Sequence, residues 1–221
     1  MDKLRMRFEK TGRAVYISHL DLMHTMQRAF SRAGFRLKYS EGYNPHPIIS
    51  IALPLSVGTA SVCELMDFRL LTEAENGDIA ERLNKALPEG IHVEAVYPAE
   101  RKTAELKWLK LEGRLEYDNR TAARAAEALN AFFAQETLVI SKKSKRGFSD
   151  FDLIPAIHKL TFSAREDEVT VKTVMTVSAQ EPTFNPDLLC EALRQKNSEL
   201  APDFAAFTRI ETYDENLTVF R

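Results

Sequence analysis

An α+β fold of two ferredoxin-like (β-α-β-β-α-β) halves, each with an antiparallel sheet, is the class that the sequence predicts, and three observations predict it. Apolar residues alternate with polar ones at Leu4, Met6 and Phe8 and again over Val62–Leu70, as half-buried strands require. They recur at helical spacing at Leu22, Met26, Ala29, Phe30 and Ala33 and at Ile79, Leu83 and Leu87. Residues 1–100 therefore run strand, helix, strand, strand, helix, strand, and residues 104–221 repeat that pattern without repeating the sequence. The halves join near Pro98 to Ala104.

Met1 to Phe8 reads as a strand with Leu4, Met6 and Phe8 inward and an open basic face of Lys3, Arg5 and Arg7. Lys10 to Arg13 is a turn, after which Ala14 to Ile17 is expected to resume the strand. Ser18 is a good N-cap, and Asp21 stands where a side chain can answer the Ser18 backbone N–H, so a helix is expected to start at His19. On that helix His24, Arg28 and Arg32 fall at i, i+4 and i+8, away from the apolar stripe. Gly34 ends the helix. Arg36 to Ser40 is then extended, with Arg36 and Lys38 on one side.

The next stretch, Glu41-Gly42-Tyr43-Asn44-Pro45-His46-Pro47, is a stiff loop, because each proline fixes its own φ and drives its predecessor out of the helical region. His19 is expected to order this loop by hydrogen bonding. Ile48 to Leu55 is apolar on both sides, as a central strand would be. Glu64 and Asp67 mark the solvent face of the strand that follows. Thr72 to Leu87 is helical, Pro88-Glu89-Gly90 stops it, and Ile91 to Val96 closes the first half.

In the second half Leu106 to Tyr117 is a strand, Arg120 to Gln135 an Ala-rich helix and Leu138 to Ser141 a strand. Lys142-Lys143-Ser144-Lys145-Arg146-Gly147 is a loop with four cations and no acid. A helical turn over Asp152 to Ile157, a hairpin of His158–Arg165 with Val169–Val177, a helix over Asn185–Glu199 and a strand over Phe207–Tyr213 complete the pattern.

At 221 residues, with 44% apolar and 28% charged residues, the chain has the composition of a globular protein able to bury its own core. The net charge of −2 gives no global field for nucleic acid, but the charge is uneven. Residues 1–47 hold nine Lys/Arg against four Asp/Glu, and residues 48–100 hold three against nine. Cys63 and Cys190 lie far apart in apolar surroundings and read as buried free thiols of a reducing compartment. There is no N-terminal apolar leader and no run approaching the roughly 18 apolar residues that span a bilayer, so a cytoplasmic location is expected.

The order Y-I-S-H-L-D-L-M, R-A-F-x-R-A-G, Y-S-E-G-Y-N-P-H-P and I-A-L-P-L-S-V-G, from Tyr16 to Gly58, resembles the radical-SAM-linked family of uncharacterised bacterial proteins, a domain of unknown function. The likeness continues to Asp152-Leu153-Ile154-Pro155, where Ile154 replaces the Arg common in that family. Its members occur as separate chains or fused behind radical-SAM enzymes that also carry a cobalamin-type domain, and their genes often lie near those of ribonucleases and ribosomal proteins. The resemblance implies a radical-SAM partner. This sequence has no C-x-x-C or C-x-x-x-C-x-x-C, so the iron–sulfur cluster and S-adenosylmethionine would belong to that partner, with no cofactor in this chain.

Candidate RNA contacts are Arg5 and Arg7 on the first strand, Arg28 and Arg32 on the helix, Arg36, Lys38 and Tyr39 after it, Tyr43, Asn44 and His46 in the loop, and Lys142, Lys143, Lys145 and Arg146 in the second half. Cations bind phosphate and aromatic rings stack unpaired bases, a mixture suited to RNA rather than to base reading in duplex DNA. The expected function is an RNA-binding or substrate-presenting accessory module in tRNA or rRNA modification. One alternative is a metal-independent endoribonuclease using His46, Tyr43 and His24 in general acid–base roles. Another is a protein-binding scaffold without RNA. Ser18, His19 and Asp21 are assigned a structural role. His19, His24, His46 and Cys63 lack tight ligand spacing, and no metal is expected. G-x-G-x-x-G, P-loop and G-x-S-x-G motifs are absent.

Overall fold

The computed structural model describes residues 3–72, 74–144, 147–177 and 185–221. These form a mixed α/β structure with four α-helices and antiparallel strand pairing, divided into two compact units. One is Met1–Glu105 with Val219–Arg221, and the other is Leu106–Thr218.

In the first unit β1 (Leu4–Lys10), α1 (His19–Arg32), β2 (Ile49–Ile51), β3 (Ala60–Phe68), α2 (Asn76–Ala86) and β4 (Ile91–Pro98) follow in chain order. Hydrogen bonding arranges the strands β4-β1-β3-β2, every pair antiparallel. Met6 and Phe8, Met66 and Phe68, and Val93 and Val96 meet Leu22, Met26 and Phe30 of α1 and Ile79 and Leu83 of α2 in one apolar cluster. Each such side chain contributes about 1.5–3 kcal/mol through the water it leaves. Phe30 and Phe68 are in direct ring contact, with centroids 4.9 Å apart.

Several expectations are corrected here. Gly12–Tyr16 is a 3-10 turn rather than a resumed strand, with Ala14 its buried residue. Ile48 to Leu55 yields only the three-residue β2, because Pro47 and Pro54 have no N–H to give a ladder; the inner strands are β1 and β3. The open basic face of β1 is a covered one. Arg5 is fully buried, its Nε donating to Asp67 Oδ1 at 2.6 Å and its Nη2 to Asp67 Oδ2 at 3.1 Å and to the Arg101 carbonyl at 2.9 Å. Lys3 Nζ adds a contact to Asp67 Oδ2 at 2.6 Å, and the Arg5 and Arg101 guanidiniums both lie over the buried ring of Phe220. Arg7 is mostly buried and pairs with Glu94. Glu64 and Asp67, placed on a solvent face by alternation, are both buried. Glu64 acts on the buried Lys10, whose ammonium is pushed below the ordinary lysine pKa by burial and held up in part by that carboxylate.

The second unit is built from β5 (Trp108–Glu116), α3 (Ala122–Phe133), β6 (Val139–Ser144), β7 (Gly147–Asp152), β8 (Ile157–Arg165), β9 (Glu168–Thr176), α4 (Asp187–Lys196) and β10 (Phe204–Tyr213). Four of these pair antiparallel in the order β10-β5-β9-β8. With the β6-β7 hairpin set aside, the connectivity and strand order repeat those of the first unit. Gly113 of β5 faces Phe207 of β10, and a Cβ there would come within 2.5 Å of the Phe207 ring. The expected cationic loop is instead part of this hairpin: β6 extends to Ser144, with Lys142 opposite Ser149 and Lys143 opposite Phe148. Lys145 and Arg146 lie outside the described residues.

A shared device closes three edges. Asn84 of α2 bonds both backbone groups of Val93 on β4, at 2.9 and 2.7 Å. Asn130 of α3 does the same to Phe162 on β8, at 2.8 and 3.1 Å, and Gln195 of α4 to Ser141 on β6, at 2.9 Å each. A side-chain amide offers the donor and acceptor that a neighbouring strand would, so these edges are partly occupied from within.

Replacing Asp67 by Ala strands the Arg5 charge in the core and is expected to lower the urea unfolding free energy by about 3–5 kcal/mol, whereas the Arg5→Met/Asp67→Leu pair recovers most of it. Burial also raises the Cys190 thiol to about 11, from 9.0. The folded state then holds that proton more tightly than the unfolded state, so this contribution is complete below pH 9 and is lost as pH rises through 11. Urea titrations at stepped pH should show a shallower alkaline loss for Cys190→Ala than for the parent.

Candidate functional site

The helix α1 is capped as its sequence dictates. Ser18 Oγ accepts the Asp21 N–H at 3.2 Å, while the Ser18 hydroxyl donates to the Asp21 carboxylate at 2.7 Å, so Asp21 answers the side chain rather than the backbone. At the other end Gly34 has φ +78°, and two bonds close the helix, Gly34 N–H to Ser31 O at 3.1 Å and Phe35 N–H to Phe30 O at 2.9 Å. This reversal lays Phe35 to Tyr39 back past the outer face of α1. The run is held by a bridge between Leu37 and Leu70, by Lys38 N–H to Arg69 O at 2.8 Å and by Leu71 N–H to Arg36 O at 2.9 Å.

Between helix face and extended run lies a cleft of about 870 Å³. The helix contributes Gln27, Arg28, Ser31 and Arg32, and the returning chain contributes Phe35, Arg36, Leu37 and Tyr39, with Leu71 beside them. None of these is acidic, and none is a histidine. Arg32 is anchored by donation from Nη2 to the Ala86 carbonyl at 2.6 Å. Arg28 and Arg36 are exposed and form no ion pair among the described residues. Arg82 lies over the Phe35 ring at 4.2 Å, donates to the Ala33 carbonyl that ends α1, and is balanced by Asp78 at 3.1 Å.

Beyond the cleft Lys38 to Ile48 forms a narrow arm. Tyr39 bridges to Pro47, Ser40 N–H donates to His46 O at 2.8 Å, and Ile48 N–H donates to Lys38 O at 2.7 Å. Ser40 Oγ accepts the His46 N–H at 3.1 Å and meets His46 Nδ1 at 3.0 Å. His19, expected to order this loop, does not do so: its Nδ1 is buried without a hydrogen bond, and Ser40 holds the arm instead. The ends of the arm are zipped together by backbone bonds of their own.

The sequence-derived residues thus separate into groups. Arg28, Arg32, Arg36 and Tyr39 come together in the cleft. Tyr43, Asn44 and His46 stand exposed on the arm, and neither they nor His24 and Lys38 line the cleft. Arg5 and Arg7 belong to the buried polar layer of β1, and Lys142, with its ammonium 5.0 Å from the Phe151 ring, belongs to the hairpin of the second unit. Gln27, Ser31, Phe35 and Leu71 are additions that the sequence reading lacks. Helical phase would have found Gln27 and Ser31, which flank the two arginines; Leu71 has no local signal, since its place depends on pairing with Arg36. Among the described residues no three His, Cys, Asp or Glu side chains gather as metal ligands. The cleft is equipped to hold an anion and a planar ring.

If the arm is held as described, Ser40→Ala should speed amide exchange at 41–46 while leaving the global urea midpoint in place, because only an exposed bond worth about 1 kcal/mol is removed. A fall in the midpoint would make the arm part of the cooperative core.

Residues 3–186 match the family described as "Uncharacterized protein conserved in bacteria (DUF2344)". No curated protein matches the sequence. Among solved structures, the crystal structure of an unknown protein from Galdieria sulphuraria is similar to 94% of this chain over 98% of its own, at 13% identity and a TM-score of 0.28. With the match running over most of its length, the chain belongs to the DUF2344 family of conserved bacterial proteins.

Proposed function

We propose that this protein is an RNA-binding, substrate-presenting accessory module that works in the cytoplasm with a radical-SAM enzyme on tRNA or rRNA. The observation that carries the reading is the cleft, where three arginines and a tyrosine converge with no carboxylate among the described residues that line it, although the chain as a whole is acidic. Surface cations on a protein of net charge −2 are ordinarily interspersed with acids; here they are segregated. The resemblance to radical-SAM-linked proteins supports the partner, which would carry the iron–sulfur cluster and S-adenosylmethionine. We read both units as ferredoxin-like, a reading supported by the orders β4-β1-β3-β2 and β10-β5-β9-β8, and among the described residues no helix is long and apolar enough to cross a membrane. The accessory role is preferred to an endoribonuclease because His46, Tyr43 and His24 stand off the cleft and His46 is engaged by Ser40.

The charge-reversed pair Arg28→Glu/Arg36→Glu should fold normally by circular dichroism and bind tRNA more weakly, with the slope of log K against log salt flattened by about 0.7 for each phosphate no longer neutralised. Filter binding across a salt series reads both. An unchanged affinity and slope would sink the reading.

A further inference from the structure

Resting on the RNA-binding reading, we infer that the cleft admits a single unpaired nucleotide and is therefore a reader of loops, bulges or ends rather than of helical RNA. The volume decides first. About 870 Å³ lies within the roughly 300–1,000 Å³ range of small-ligand sites, enough for one nucleotide and far too little for a duplex. The walls divide the nucleotide's chemistry among themselves. Arg28 and Arg36, in no ion pair among the described residues, suit the phosphate, while Arg32 is already oriented by its bond to Ala86 and adds charge without further ordering. Tyr39 is half-exposed, and its backbone is fixed opposite Pro47, so its ring offers a stacking surface that loses little freedom on binding. Leu71, also more than half exposed, extends that apolar surface for the base.

Gln27 supplies what remains. The Ser31 hydroxyl is engaged by the Gln27 carbonyl at 3.2 Å, but the Gln27 side-chain amide carries a donor pair and an acceptor at the cleft wall. Such a group pairs with the hydrogen-bonding edge of a base only when that edge is not already used in a duplex. Stacking, phosphate neutralisation and edge reading thus all select the same state of the RNA, an extruded nucleotide.

The test uses the full chain and two RNAs of the same composition, a hairpin with 2-aminopurine in its loop and a fully paired blunt duplex that holds the same base within its helix. The loop probe should bind more tightly and change its fluorescence on binding. Tyr39→Ala should weaken loop binding roughly five- to hundredfold, and Tyr39→Phe should restore it. Gln27→Ala should alter base preference in the loop without changing the salt slope. Equal affinity for the hairpin and the duplex, or loop binding indifferent to Tyr39→Ala, overturns the single-nucleotide inference and leaves RNA binding standing. Failure of both RNAs to bind overturns both readings.

Discussion

The reversal at Gly34 is the constraint on which the candidate site depends. A helix that simply ran on past Arg32 would present its arginines to open solvent, with nothing facing them. Because Gly34 takes φ +78° and the two closing bonds use the last carbonyls of α1, the chain returns beside the helix it has just left. That return places Arg36 and Tyr39 across from Arg28 and Arg32, lets Arg36 and Lys38 bond to the chain around Leu70, and sets the base of the arm. Packing locks the turn as well: Phe35 is buried beneath the Arg82 guanidinium, which also takes the Ala33 carbonyl. One backbone conformation thereby turns a basic helix face into one wall of a cleft.

A second layer of polar chemistry lies on the face of β1 and β3 away from the helices. Arg5 and Asp67 sit directly opposite each other in register, close enough for the guanidinium fork to take both carboxylate oxygens. Desolvating such a pair costs several kcal/mol per ion, and only near-complete hydrogen bonding offsets it. The Arg101 carbonyl and the ammonium of Lys3 provide much of that bonding, and Phe220 covers the guanidinium. Residues Val219–Arg221 belong to the first unit even though they follow the last strand of the second. The buried ring of Phe220 lies over two guanidiniums, so apolar cover and cationic charge meet on one surface.

What could be read in the sequence was whatever is local. The start of α1 at His19 follows from Ser18, its end from Gly34, and the β8-β9 hairpin from alternation around Glu166-Asp167-Glu168. Alternation misled on Asp67 and Arg5 because it reports that two faces differ, not that the polar one is wet, while Glu64 stands in phase with Met66 and Phe68; the partner that dries Arg5 is Phe220, at the other end of the chain. The edge amides were invisible for the same reason, since Asn84, Asn130 and Gln195 read as ordinary exposed helix residues until the strand beside each is known. In the site, the arginines and Tyr39 were legible from residue type and helical phase. Leu71 was not, because its place follows from long-range pairing with Arg36, and neither was the position of His46, which the pairing of the arm's two sides through Ser40 sets.

On the proposed reading, the cleft divides its labour as a module that holds rather than transforms would. General acid–base chemistry needs a group whose pKa lies near the working pH within hydrogen-bond reach of the reacting atom. Neither a histidine nor a carboxylate stands among the described residues that line this cleft, and burial raises the phenols of Tyr97 and Tyr117 elsewhere in the chain away from that range. The residues that do line it are well suited to recognition: guanidiniums keep their charge at every physiological pH, and a ring fixed on a paired backbone selects by shape. On the proposed reading the reaction itself then falls to the partner. The fully exposed Tyr43 and its neighbours on the stiff arm lie outside the cleft, on a surface that a second macromolecule can reach while the cleft is filled.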